Sequence, residues 1–219
     1  MCLLPSAAGG CGFIGSHTLL LLVKKYPHYN FVNLDILDKC STLKNVAEIS
    51  PYRNYTYCHG DICNLDLVSH LMEFHKIDTV MHFAAQSHVD ASFGNPLSHT
   101  QTNVLGTHTL LEAARRHKVK RFIHVSTDEV YGDVMGEGVV ENAVFEPTNP
   151  YSCSKAAAEF IVKAYQRSYD LPVIITRGNN VSSYALAFLH ATFLSNTPQA
   201  NVDAHTLSQS QANTCTKLK

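Results

Sequence analysis

Five short runs in this chain lack the polar–apolar alternation of a half-exposed strand: NFVNL (30–34), YTYCH (55–59), TVMHFAA (79–85), RFIHVS (121–126) and PVIITR (172–177). Helix-length patterns separate them: SHTLLLLVKKY (16–26), LDLVSHLMEFH (65–75), TNVLGTHTLLEAARRH (102–117) and SKAAAEFIVKAYQRSY (154–169). A strand that is apolar on both sides must be covered on both faces. A helical connection brings the chain back to the same edge, so the next strand runs parallel. The alternation therefore predicts an α/β chain with a doubly wound parallel sheet.

Two regions depart from the pattern. A first strand belongs just before Gly9, but LLPSAA stands there, and Pro5 has no N–H for a ladder bond. A weak first strand is expected. At the other end, residues from Ser195 onward are polar without apolar spacing, which predicts disorder. The chain thus divides into a domain over 1–181 and a divergent, disordered tail over 182–219.

A formal net charge of -1 argues against a nucleic-acid surface. The 7 cysteines include no C-x-x-C pair, as expected of thiols in a reducing compartment. Cys58, His59, Cys63, His70 and His75 have no zinc-ligand spacing, so no metal is expected. MCLLPSAA lacks the basic start of a secretory signal, and no apolar run reaches the ~20 residues that span a bilayer. A cytoplasmic protein with no membrane contact is expected.

The stretch GGCGFIGSH places Gly9, Gly12 and Gly15 in the spacing G-x-x-G-x-x-G directly before a helix. Glycine permits a tight turn and close approach of a pyrophosphate to the helix N-terminus. Asp35 lies 20 residues past Gly15, at the end of the next strand. A carboxylate there binds ribose hydroxyls and repels a 2′-phosphate, which favours NAD over NADP. Asp61, in GDI after the third strand, is placed near the adenine. Phe13, Ile14 and Ile62 complete the expected cofactor contacts.

Two further stretches carry chemistry. YSCSK puts Tyr151 and Lys155 at i and i+4, on one helix face. A tyrosine titrates near ~10, and a nearby lysine cation lowers that value, making a base that takes a hydroxyl proton while hydride leaves the same carbon. STDEVYG sets Asp128 beside Glu129 at the end of an apolar run. Two adjacent carboxylates repel each other and resist burial. They lie on a solvated turn or perform acid and base work in a cleft.

The ordered set GGCGFIGSH, NLDIL, GDICN, HFAAQSHVDAS, TNVLGTHTLLEAAR, VSTDEVYG, NPYSCSKAAAE and ITRGNN resembles the extended short-chain dehydrogenase/reductases over residues 9–181. Within them it is most similar to the dTDP-glucose 4,6-dehydratases. The resemblance implies a Rossmann-like NAD-binding domain, a dTDP- or UDP-glucose substrate and a homodimer. Tyr151 then oxidises the sugar C4 hydroxyl with Lys155 beside it, Glu129 takes the C5 proton, Asp128 protonates the departing C6 hydroxyl, and Thr127 hydrogen-bonds the reacting oxygen. Phe83, Ala84 and Ala85 line the cofactor, and Tyr151 and Lys155 also contact it. Ser87, His88, Asp90, Thr127 and Asn180 face the sugar nucleotide, and Asn103 braces the backbone. Related epimerases usually lack the acidic pair.

After RGNN (177–180) the family's smaller nucleotide-gripping domain has no counterpart, so the resemblance implies a truncated relative. Two alternatives stay open: a non-catalytic NAD-binding module, and a UDP-sugar dehydratase or epimerase of the same superfamily.

Overall fold

The computed structural model describes residues 5–134 and 138–179. The expected disordered tail, with Asn180, lies outside them. Six strands form one sheet: β1 (Pro5–Ala8), β2 (Phe31–Asp35), β3 (Tyr55–His59), β4 (Thr79–His82), β5 (Arg121–Thr127) and β6 (Val173–Gly178). The order is β3-β2-β1-β4-β5-β6, and every pairing is parallel. That is the doubly wound Rossmann arrangement, with the order reversing beside β1.

The first strand is short, four residues, yet it stands at the centre of the sheet, paired with both β2 and β4. Proline is tolerated because it is the first residue of the strand, where a missing N–H costs little.

Helix α1 (Phe13–Lys25) covers one face, where Leu19, Leu22 and Val23 pack with Phe31, Met81 and Ile123. Helices α2 (Leu65–Phe74), α5 (Thr107–Arg116) and α6 (Pro150–Tyr169) cover the other, over Val32, Leu34, Val80 and Phe122. None of the described helices is long and apolar enough to cross a membrane.

Three helices begin earlier than the apolar spacing indicates: α1 at Phe13 rather than Ser16, and two others that follow an asparagine cap with a proline at the first helical position. Asn95 caps α4 (Pro96–His99), which runs through a widened π-helical stretch, Thr100–Gly106, into α5. Asn149 caps α6, accepting from Ser152 N at 2.8 Å in a capping box. The proline at the first helical position presets the backbone, and the cap satisfies an otherwise orphan N–H. Tyr151 is thereby drawn into the same helix as Lys155.

His82 and His124 face each other across β4 and β5, their ring centroids 5.3 Å apart and both fully buried. Burial, reinforced by the nearby Lys155 cation, lowers His82 to about 3 and His124 well below its ordinary value. The unfolded chain therefore takes up protons first, and stability should fall as pH drops below about 6.5. The expected slope is roughly 1 kcal/mol per pH unit for each histidine. Thermal melts between pH 7 and pH 5 should show His124→Leu with a shallower decline than the native chain. Parallel declines would exclude this pair as the acid-sensitive element.

Candidate active site

The turn after β1 and the start of α1 form the floor of the crevice at the switch point. Gly9 has φ +80, and a Cβ there would lie 2.5 Å from the Ala84 Cα and backbone N. Glycine is thus required on two counts, by handedness and by contact. Gly15 likewise packs on the backbone of Gly9 and Gly10. Gly12 differs: its φ is −75, and a Cβ would come no closer than 3.5 Å to Gly9 O. It caps α1 without a side-chain hydrogen bond, and no acidic residue occupies the first turn. The leading N–H groups, with the helix dipole behind them, suit a pyrophosphate. Phe13 is exposed and Ile14 half-buried at that same helix start.

Asp35 is buried at the end of β2 and organises this turn. Its Oδ2 accepts from Cys11 N at 2.8 Å, while Oδ1 accepts from Leu37 N at 2.8 Å and Ser41 Oγ at 2.9 Å. Phe83, Ala84 and Ala85 are half-buried along the opposite wall. Asp61 is exposed and accepts from Cys63 N at 2.9 Å in a local turn. Ile62 departs from expectation. Its side chain is buried in the core, packed under Gly106, rather than presented to the crevice.

Across the crevice, β5 ends at Thr127, whose Oγ1 accepts from Glu129 N at 3.3 Å and starts a one-turn 3-10 helix, Asp128–Tyr131. Asp128 and Glu129 are half-buried, so the pair is not on a solvated turn. Thr127 Oγ1 donates to Asp128 Oδ1 at 3.3 Å, and Asn149 Nδ2 donates to Glu129 Oε2 at 3.4 Å. Thr127 also lies close enough to the Tyr151 phenol to favour its ionised form. One strand end and one helix N-terminus therefore bring Thr127, Asp128, Glu129 and Tyr151 together.

The Tyr151–Lys155 relation differs from the one expected. Burial pushes Tyr151 up to about 12, with the Glu129 and Asp128 charges adding to it and Thr127 opposing. Lys155 is buried and lowered to about 8 by desolvation, and its Nζ donates to Val125 O at 2.7 Å. A side chain satisfied by a strand carbonyl does not act on the phenol as a lone cation would.

Asn103, from the π-helical stretch, accepts from Gln86 N at 2.8 Å and donates to Gln86 O at 3.0 Å and Ser154 Oγ at 2.8 Å. It braces the loop after β4 against α6. On that loop Ser87 and His88 are exposed, as is Asp90 in the first turn of the helix that follows, and His88 Nε2 lies 3.2 Å from Cys40 Sγ.

With this geometry in view, the sequence profile of the family described as GDP-mannose 4,6 dehydratase matches residues 7–203. The chain belongs to the GDP-mannose 4,6 dehydratase family. Among relatives in that fold lineage, human dTDP-D-glucose 4,6-dehydratase is 51% identical over 173 residues, covering 79% of this chain and 49% of the human protein. The Arabidopsis thaliana trifunctional enzyme RHM1, named for UDP-glucose 4,6-dehydratase, epimerase and reductase activities, is 53% identical over 177 residues, covering 79% of this chain and 26% of that protein. The dTDP-glucose 4,6-dehydratase DesIV of Streptomyces venezuelae, solved with NAD bound, superposes with TM-score 0.75 at 38% identity, covering 80% of this chain and 55% of DesIV. The chain thus spans about half the length of the human relative.

Three polar residues of this GDP-mannose 4,6 dehydratase family member escaped the sequence reading. Asn149 reaches Glu129, while Glu159 and Arg177 form a buried pair beside the acidic turn. Asn149 was discoverable as a cap before proline. Arg177 and Glu159 stand 18 residues apart on a strand and a helix, with no local pattern linking them.

Proposed function

We propose that residues 1–181 form the NAD-binding domain of a sugar-nucleotide 4,6-dehydratase acting on dTDP- or UDP-glucose. The observation that carries this reading is the convergence of Thr127, Asp128 and Glu129 on Tyr151 at the C-terminal end of β5. The residues fit the cofactor: Gly12 leaves space at the N-terminus of α1, and buried Asp35 stands where a ribose would meet it and a 2′-phosphate would be repelled. Gly9, Gly12, Gly15 and Asp35 would hold NAD between them.

NAD, when bound, supplies a transient hydride acceptor. The protein moves the protons. Tyr151 takes the C4 hydroxyl proton, Thr127 orients the reacting oxygen, Glu129 removes the C5 proton and Asp128 protonates the departing C6 hydroxyl. Adjacent carboxylates suit opposite roles, since the charge of one disfavours ionisation of the other. Lys155 follows Tyr151 by one turn of α6, with its Nζ held on Val125 O.

A homodimer is proposed through α3 (Val89–Gly94), α4, the π-helical stretch and α6. Phe93, Leu97, Leu105 and Phe160 there are 65%, 78%, 46% and 61% exposed, a surface that a second copy would cover. A cytoplasmic setting is supported by the unpaired thiols of the described cysteines, Cys11, Cys40, Cys58, Cys63 and Cys153.

The test is to incubate the purified chain with NAD or NADP and each glucose nucleotide, and to analyse the sugar for loss of the 6-hydroxyl. A 4-keto-6-deoxy product formed with NAD in preference to NADP is expected. Inverted C4 without loss of the 6-hydroxyl would indicate an epimerase. NAD binding with no product would indicate the binding module.

A further inference from the structure

Arg177 sits on the edge strand β6, and its guanidinium uses four of its five donors on three separate segments. Nε donates to Glu159 Oε1 at 2.9 Å and Nη2 to Glu159 Oε2 at 2.7 Å, a fork onto a carboxylate that is 0% exposed. Nη1 divides its two protons between Tyr131 Oη at 2.6 Å and Glu141 O at 3.0 Å. The guanidinium carbon also lies 5.3 Å from the Tyr131 ring centroid and 5.0 Å from that of Phe145.

These contacts join the acidic turn to the helix that carries Tyr151. Glu159 follows Tyr151 and Lys155 at i, i+4 and i+8, so all three lie on one face of α6, Glu159 about 12 Å along from Tyr151. Tyr131 is the last residue of the turn that carries Asp128 and Glu129. From the other side, Glu146 N donates to Val130 O at 3.1 Å, and Gly132, at φ +79, lies against Glu146 O. The turn is thus held between the main chain of the 138–149 loop and the Tyr131 phenol, and Arg177 fastens both to α6.

We infer that Arg177, held by Glu159, is a positioning residue that sets Asp128 and Glu129 against Tyr151 through the Tyr131 hydroxyl. The inference rests on the reading of those three residues given above. A buried ion pair is not a favourable way to add stability, because desolvation consumes much of its Coulomb attraction. A planar fork, by contrast, defines direction, which a turn of four residues without a sheet partner does not have of its own.

Tyr131→Phe in the 219-residue chain removes the bond to the turn and leaves the Arg177–Glu159 pair in place. Amide exchange at residues 128–132 should accelerate ~10-fold while β5, α6 and the melting temperature stay as they were. The Tyr151 phenol, followed by its ring 13C signal, should begin to ionise at lower pH, since the Glu129 and Asp128 charges help to hold it up. The double variant Arg177→Met/Glu159→Met, which removes both members of the fork, should reproduce the local exchange. Unchanged exchange at 128–132 in Tyr131→Phe would overturn the inference, and so would an equal rise throughout the domain. Neither readout needs cofactor or sugar, so absence of turnover would refute the proposed function without deciding this point.

Discussion

Glu129→Gln is expected to slow exchange of the substrate C5 proton with deuterated solvent ~10²–10⁴-fold, the range typical of a positioned base. The amide keeps the shape of the side chain and can still bond Asn149, but it has no lone pair basic enough to take a carbon-bound proton. Glu129 is half-buried beside Thr127 and Tyr151, so water does not readily replace it. Tyr151→Phe should lower C4 oxidation by a similar factor. Its NAD affinity should stay within about twofold, because the glycine turn and Asp35 belong to other elements. Asp128→Asn should spare C5 exchange more than it spares water loss, because the acid acts on the leaving hydroxyl. If all three variants react at the native rate, the acidic turn and the tyrosine have no part in the chemistry.

The second large effect concerns the glycines, which the structure divides into two kinds. Gly9→Ala should cost about 3 kcal/mol or more, from a positive φ that alanine resists and a methyl group forced onto the Ala84 backbone 2.5 Å away. Urea unfolding would measure it as a lower midpoint at unchanged m. Gly12→Ala should cost within about 1 kcal/mol, since its φ is ordinary and the space beside it open. Its NAD affinity should nevertheless fall ~10-fold or more, as the methyl occupies the approach of the pyrophosphate. A Gly12→Ala chain that binds NAD normally would remove this turn from the cofactor site.

Much of the architecture was legible because it is written in short-range pattern. Strand β3 matches its apolar run, and β2, β5 and β6 differ by a residue or two at their ends. The boundaries that slipped are the end of β4, which stops at His82, and the helix starts at Phe13, Pro96 and Pro150, the last two where a cap and a proline extend the helix beyond its apolar spacing. Pro5 is compatible with a short β1 because its penalty depends on place: inside a central strand it breaks the ladder, whereas at the first position of β1 it does not.

By itself, the sequence determined the layer order, the glycine turn and the i, i+4 placement of Tyr151 and Lys155, since each depends on the covalent spacing of residues along one element. Only the tertiary structure decided what those side chains meet. It turned Lys155 onto Val125 O and gave the Ile62 side chain to the core. It also brought Arg177 from the last strand onto Glu159 and Tyr131. The physical reason is that burial and hydrogen-bond partnership are properties of neighbours in space. A buried ammonium takes the nearest carbonyl, and a buried carboxylate the nearest guanidinium, whatever their separation along the chain.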